Sequence, residues 1–195
     1  MTKSRARVHR SGSDGSRKTY LIVGAIIVLF VGGFIALAVI DARQQSTSGA
    51  PGDVKTYDVG PAGQHTSTNV DYDHSPPAGG PHDPVWQNCG YYDKPVRDEN
   101  AVHSLEHGAV WITYSPDLPQ DQIQELRTIA QGRSYILVSP YPGLDSPVVA
   151  TAWGKQVALD GAGDPGLESF IKAYRIGPQT PEPGALCTGG TSATQ

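Results

Sequence analysis

One long apolar segment limits the folds open to this chain. Residues 20–40 read YLIVGAIIVLFVGGFIALAVI and contain no Asp, Glu, Lys or Arg. A helix rising about 1.5 Å per residue over this stretch crosses the roughly 30 Å hydrocarbon layer of a bilayer. A cleavable signal peptide is the alternative, but its apolar region is shorter, roughly 7–15 residues, and ends at a small-residue cleavage site. We therefore expect residues 20–40 to form an uncleaved transmembrane helix.

The charges on either side of this segment predict its orientation. Residues 1–19 carry six Lys or Arg and one acid, so the positive-inside rule places this tail in the cytoplasm. Residues 42–195 carry 17 Asp or Glu against nine Lys or Arg. An acidic outer part argues against nucleic acid as a partner, because phosphates attract basic surfaces. We expect a single-pass protein of the cell membrane with an extracytoplasmic domain, whose envelope protein partner, if any, is unknown.

Composition divides the chain into five segments. They are a basic cytoplasmic tail (1–19), the transmembrane helix (20–40), a polar linker (41–56), an extracytoplasmic domain (57–187) and a disordered tail (188–195). The chain has two cysteines, Cys89 and Cys187, and an oxidising compartment favours a disulfide between them. The alternative is that Cys89 is a free thiolate ligand.

From Ala109 onward the chain has regular periodicity. Asp164 followed by Pro165 indicates a helix start, since Asp is a good N-cap and Pro suits the first helical position. The patterns predict strands at 109–114, 134–139, 147–153 and 155–160, and helices at 119–131 and from 165. The predicted fold class is α+β: a small mixed β-sheet with two helices packed on one face and a loop-rich His/Pro/Gly first half, preceded by one transmembrane helix.

Histidines are concentrated between residues 65 and 107, which hold five of the six in the chain. Residues 103–107 read H-S-L-E-H, a spacing that places two imidazoles on one face of a helix. Inverted zinc proteases use H-x-x-E-H with the Glu as general base, on a long helix. Here Gly108 and a predicted strand follow immediately. The context therefore disfavours a protease.

A metal site without protease activity fits the histidines better. Imidazole binds zinc, copper, nickel and iron, and the only methionine is Met1, which leaves no thioether for copper(I) in the outer domain. We expect copper(II) or zinc bound by nitrogen, with an oxygen from Glu106 or Asp83. The alternative for each histidine is a structural hydrogen bond in a loop. The candidate ligands are His65, His82, His103, His107 and Glu106.

The order of these motifs resembles the bacterial family known as domain of unknown function 3105. The family motifs fall on His65, on Pro76, Pro77, Gly80 and His82, on Gly90 and Tyr92, and on the run from Val102 to Gly108. Gly79 stands where many members have Ser, and His74 lies outside the pattern, which removes it from the candidate ligands. The resemblance implies a secreted or membrane-anchored protein but no activity.

Three functions remain open. The first is a metal-handling or metal-sensing module that uses the histidine cluster. The second is a non-catalytic scaffold or binding module of the cell envelope with structural histidines. The third is a metal-dependent envelope hydrolase that uses Glu106. We expect the protein not to be an enzyme, and therefore assign no catalytic residue.

Overall fold

A computed structural model describes Tyr20 and residues 53–195 of the chain. The predicted cytoplasmic tail, and the predicted transmembrane helix apart from Tyr20, lie outside the described residues. Among the residues that are described, no helix combines the length and the apolar character needed to cross a bilayer. The described residues 53–195 belong to one compact unit, and the fold below is that of these residues.

The unit is built on a mixed six-stranded sheet in the spatial order β1-β6-β5-β3-β4-β2. The strands are β1 (Lys55–Thr56), β2 (Gly90–Tyr91), β3 (Val110–Tyr114), β4 (Ile136–Pro140), β5 (Val148–Ala152) and β6 (Lys155–Leu159). Strand β4 pairs in parallel with β2 and β3, and the other pairings are antiparallel. The described helices are α1 (Asp98–Glu106), α2 (Gln120–Gly132) and α3 (Pro165–Tyr174). The α+β class is therefore confirmed.

Helices α2 and α3 share one core with one face of the sheet. Successive strand residues point to opposite faces, and Val110 and Ile112 of β3 lie in the same apolar cluster as Leu126 of α2 and Phe170 of α3. The side chain of Asp164 accepts a hydrogen bond from Gly166 N at 2.8 Å, as an N-cap does. Both helices lie within one or two residues of their predicted positions.

Helix α1 packs on the opposite face and was not among the two helices expected. Its residues Val102 and Leu105 join a second apolar cluster with Trp111 of β3 and Leu137 of β4. Residues Glu99 to Glu106 of α1 are all buried although most of them are polar, so the segment has too few apolar positions to mark it in the sequence as an amphipathic helix. The expected two-helix fold is thus corrected to three described helices, and α1 brings the histidine-rich half onto the sheet.

The C-terminal segment is tied to this half. Cys89 and Cys187 form a disulfide, which excludes Cys89 as a free thiolate ligand. Residues 188–195 were expected to be disordered, but Thr191 pairs with Gln87 and Gln195 N donates to the Pro95 carbonyl at 2.8 Å. The disulfide brings this segment beside residues 86–89, where its backbone groups find hydrogen-bond partners.

Candidate metal centre

Four side chains, from three parts of the chain, meet at the C-terminal end of α1. His65, His82, His103 and Glu106 each offer one ligand atom, and these atoms all lie within 4.8 Å of one another. Three of the four side chains are buried, and His65 is 46% exposed. All four were among the candidate ligands proposed from the sequence.

Helix α1 supplies two of the ligand atoms. His103 and Glu106 are three residues apart in its last turn, so their side chains lie on the same side of the helix. The Glu106 carboxylate is almost completely buried, and its Oε1 accepts a hydrogen bond from Gly63 N at 2.7 Å. This bond leaves Oε2 to face the histidines.

The loop-rich half supplies the other two ligand atoms through a backbone pairing. His65 and His82 form an isolated parallel β-bridge. Thr66 N donates to the His82 carbonyl at 2.7 Å, and His82 N donates to the Gln64 carbonyl at 2.9 Å. This pairing holds the two imidazoles side by side, with ring centroids 5.0 Å apart.

Backbone carbonyls decide which ring nitrogen of the buried histidines is free. His82 Nδ1 lies 2.7 Å from the Gly80 carbonyl, and His103 Nδ1 lies 2.6 Å from the Asp83 carbonyl. A carbonyl can only accept, so each Nδ1 carries the proton and the neutral ring presents an Nε2 lone pair. Histidines that bind metals are commonly oriented in this way.

One close contact in the cluster joins two atoms that both bear lone pairs when His82 is neutral. His82 Nε2 lies 3.0 Å from Glu106 Oε2, and both side chains are almost completely buried. When His82 is neutral its Nε2 bears a lone pair, and an ionised carboxylate offers only lone pairs as well. The contact therefore requires a positive species, either a proton or a metal ion.

His103 stays neutral at physiological pH. Its pKa is lowered to about 4, chiefly by burial and also by the neighbouring imidazoles of His107, His82 and His65. The hydrogen bond to the Asp83 carbonyl opposes these effects without cancelling them. A neutral imidazole is the form that coordinates a metal.

The spacing of the cluster suits a small divalent cation. Zinc–nitrogen and zinc–oxygen bonds are about 2.0–2.2 Å, which places neighbouring ligand atoms of a tetrahedral site roughly 3.3–3.5 Å apart. The Oε2 of Glu106 is 3.0 Å from His82 Nε2 and 3.9 Å from His65 Nε2. The three nitrogens and one oxygen thus fit the expected copper(II) or zinc after shifts of roughly an ångström.

His107, which was also proposed as a ligand, lies outside this group. Its Nδ1 lies 2.6 Å from the Leu186 carbonyl, and its Nε2 lies 3.7 Å from Oε2 of Glu182. The rings of His103 and His107 are close, with centroids 4.5 Å apart, but His107 is directed to a different carboxylate. The two histidines of H-x-x-E-H therefore do not converge on one ion in the way that the protease motif requires.

Asp83 and His74 also lie outside the four-residue group. The Asp83 side chain forms an ion pair with Arg97 at 2.6 Å, so Asp83 contributes only its carbonyl to the site. His74 stacks on Tyr57 with ring centroids 3.9 Å apart and accepts a hydrogen bond from Ala78 N. His74 was removed from the candidate ligands on the sequence alone, and in the structure it is not one of the four clustered residues.

Two tryptophans enclose the site, although no sequence pattern assigned them to it. Trp153 lies edge-on to His82 with ring centroids 5.9 Å apart, and Trp86 contacts the rings of both His103 and His107. Gly63 and Gly80 act through backbone atoms, which no residue pattern reveals. Such contacts depend on the tertiary structure and have no local signal.

Comparison with known proteins identifies the family of the chain. No curated protein and no solved structure matches it. A family model matches residues 64–189, a range that contains the four clustered residues and both cysteines. Because this range covers more than half of the 195 residues, the chain belongs to the family described as Protein of unknown function (DUF3105).

Proposed function

We propose that this protein is a single-pass, membrane-anchored extracytoplasmic protein that binds copper(II) or zinc through His65, His82, His103 and Glu106. The observation that carries the proposal is the 3.0 Å contact between His82 Nε2 and Glu106 Oε2. Two buried acceptors at this distance repel each other unless a cation lies between them or a proton is shared. A divalent ion would satisfy all four ligand atoms together.

The ligand set favours metal handling or sensing over catalysis. Four protein ligands complete a tetrahedral site, whereas catalytic zinc sites keep one position for water or substrate. Both oxygens of Glu106 already face partners, Gly63 N and His82 Nε2, which leaves no free oxygen for a general base. The exposed side of His65 offers a route by which the ion can enter and leave.

The membrane anchor is proposed from the sequence. Residues 20–40 are uncharged and long enough to span a bilayer, and the basic tail before them favours a cytoplasmic N-terminus. A disulfide is typical of proteins outside the cytoplasm, so the bond between Cys89 and Cys187 agrees with this topology. The metal would then be bound at the outer side of the cell membrane.

Metal retention by the full-length protein in detergent tests the proposal. The protein is stripped with a chelator, loaded with zinc or copper(II), dialysed, and assayed for metal per chain. We expect one retained ion. His82→Ala or His103→Ala should each weaken binding by more than about 100-fold, because loss of an outer-shell partner alone costs 10–100-fold.

His74→Ala is the matched control, since it removes a histidine outside the cluster and should retain the ion. Circular dichroism of each metal-free variant shows whether the domain is still folded. If the wild-type protein binds neither ion with at least micromolar affinity, the histidines are structural. The scaffold function would then replace the metal-binding one.

A further inference from the structure

A second pair of metal-binding atoms lies beside the four-residue cluster. His107 is the C-cap of α1, and its side chain is 5% exposed. Its Nδ1 faces the Leu186 carbonyl at 2.6 Å, so the neutral ring directs an Nε2 lone pair towards Glu182. Oε2 of Glu182 is 3.7 Å from that nitrogen, which is beyond hydrogen-bond distance.

The backbone holds this pair in place. Glu182 N donates to the Glu106 carbonyl at 3.0 Å, and Gly184 N donates to the His107 carbonyl at 3.1 Å. These bonds dock the segment that carries Glu182 onto the end of α1. Within the described part of the chain, the Glu182 carboxylate has no other ion-pair partner, and its side chain is 56% exposed.

The separation of the two atoms suits an ion between them. With metal–ligand bonds of about 2.1 Å, a distance of 3.7 Å corresponds to a ligand–metal–ligand angle of roughly 125°. Two protein ligands leave the remaining positions to water, which makes such a site weak and exchangeable. The ring of His103 lies next to both sites, 4.5 Å from the ring of His107 and 4.8 Å from that of His82.

We infer that His107 and Glu182 form a second, weaker binding position for a divalent first-row cation, separate from the four-ligand site. The inference rests on the proposed function for the identity of the ion. It also gives a role to His107, which is buried at the end of H-S-L-E-H and faces Glu182 instead of belonging to the four-residue group. The first site holds the ion with four ligands, and the second presents an exposed carboxylate to ions arriving from solvent.

Calorimetric titration of the metal-free full-length protein with zinc chloride tests the inference. We expect two binding events in the wild-type protein, the second at least about tenfold weaker than the first. Glu182→Gln should remove the second event and keep the first. Glu168→Gln is the matched control, because it neutralises a carboxylate of similar exposure, 61%, and should keep both events.

Two further variants separate a metal site from an ion pair and from the first site. Glu182→His, unlike Glu182→Gln, should show the weak event, since imidazole is a metal ligand. A histidine at this position carries no negative charge, so it could not form an ion pair with a protonated His107. His82→Ala should lose the tight event and keep the weak one.

A wild-type protein with only the tight event overturns this inference and leaves the proposed function standing. A weak event that survives Glu182→Gln, or that disappears with His82→Ala, also overturns the inference. If the tight event alone is missing from the wild-type protein, the proposed function fails and the second site stands. If both events are missing, both proposals fail.

Discussion

At the scale of single residues, the main chain determines how the histidines can act. Three buried imidazoles donate their Nδ1 protons to backbone carbonyls from two segments, those of Gly80 and Asp83 in one loop and that of Leu186 near the C-terminus. The acceptors are backbone atoms, so the chemistry of each ring does not depend on the side chain of its partner. The direction in which the free Nε2 points depends on where the fold places that carbonyl. His103 and His107 therefore serve different sites although they are only four residues apart.

Asp98 provides a test of residue-scale electrostatics away from the cluster. The pKa of Asp98 is raised to about 6, chiefly by burial; the hydrogen bond from Tyr141 opposes this rise and the charge of Glu99 adds to it. The ordinary pKa in an unfolded chain is about 3.9. The folded state therefore binds the proton more tightly, so this contribution to stability is complete below about pH 4 and is lost as pH rises through about 6.

Asp98→Asn should remove this pH dependence while an amide oxygen still accepts from Tyr141. Relative to wild type, the metal-free variant should gain free energy of unfolding between pH 4 and 7. The rise in pKa from about 3.9 to about 6 sets an upper limit of about 3 kcal/mol on this gain. The actual gain should be smaller, because the N-terminus of α1 stabilises the charged carboxylate that asparagine replaces. Urea unfolding at several pH values measures it. Asp117→Asn, at an exposed carboxylate, is the control, and equal profiles for the two variants would contradict the prediction.

At the scale of elements, the end of α1 both presents the ligands and starts the central strand. Gly108 has a φ of +104°, a conformation that side chains rarely adopt, and it turns the chain from α1 into β3. Its carbonyl accepts from Ile176 N at 2.9 Å, and a Cβ at this position would lie 3.1 Å from the Cα of Ile176. The turn therefore has no room for a larger residue.

Gly108→Ala should lower the free energy of unfolding by about 1–3 kcal/mol, because it adds a strained φ and a close backbone contact. Gly132→Ala is the opposite case. Gly132 ends α2, and a Cβ added there would meet no atom within 4 Å, so alanine should raise stability by up to about 1 kcal/mol. Chemical denaturation compares the two variants, and an equal effect would show that backbone conformation at residue 108 is unimportant.

At the scale of the whole molecule, the disulfide connects the histidine-rich half of the described domain to its C-terminal segment. It joins cysteines separated by 98 residues and is accompanied by a hydrogen bond from Cys89 N to the Cys187 carbonyl at 2.8 Å. The segment around Cys187 carries Glu182 and the Leu186 carbonyl, both of which contact His107. The disulfide thus holds the C-terminal segment against the metal-binding half.

Replacement of both cysteines by serine should lower the free energy of unfolding by up to roughly 4–5 kcal/mol, the chain-entropy value for a loop of this length. It should also weaken the second zinc-binding event more than the first, because only the second uses a residue of the C-terminal segment. Denaturant unfolding and calorimetry measure the two effects. Unchanged stability together with unchanged binding would show that non-covalent contacts alone hold the segment.

Much of the sheet and two helices were predictable because their signals are local. Strands β3 to β6 have five residues each, which is long enough to leave a pattern in the sequence, and α3 begins after an Asp–Pro cap signal. Strands β1 and β2 have two residues each, which is too short for any periodicity. Helix α1 consists mostly of polar residues that become buried only in the tertiary structure, so its sequence lacks the apolar spacing that marks a helix.

The candidate site was predictable as a set of residue types and not as a geometry. Histidine and carboxylate side chains are metal ligands wherever they occur, and their concentration between residues 65 and 107 identified the four clustered residues together with His107. Their separation into two groups depends on the Leu186 carbonyl, 79 residues from His107 along the chain. A spacing rule for one helix carries no information about such a contact.

Local signals in the chain are therefore enough for the α+β class, the start of α3 and the chemistry available to the site. The partners of each histidine follow only from the tertiary structure. A β-bridge brings His65 to His82, the last turn of α1 brings Glu106 to both, and the C-terminal segment draws His107 towards Glu182. The physical reason is that helix and strand signals act over a few residues, whereas metal coordination requires distances of about 2 Å between atoms brought together from distant parts of the chain.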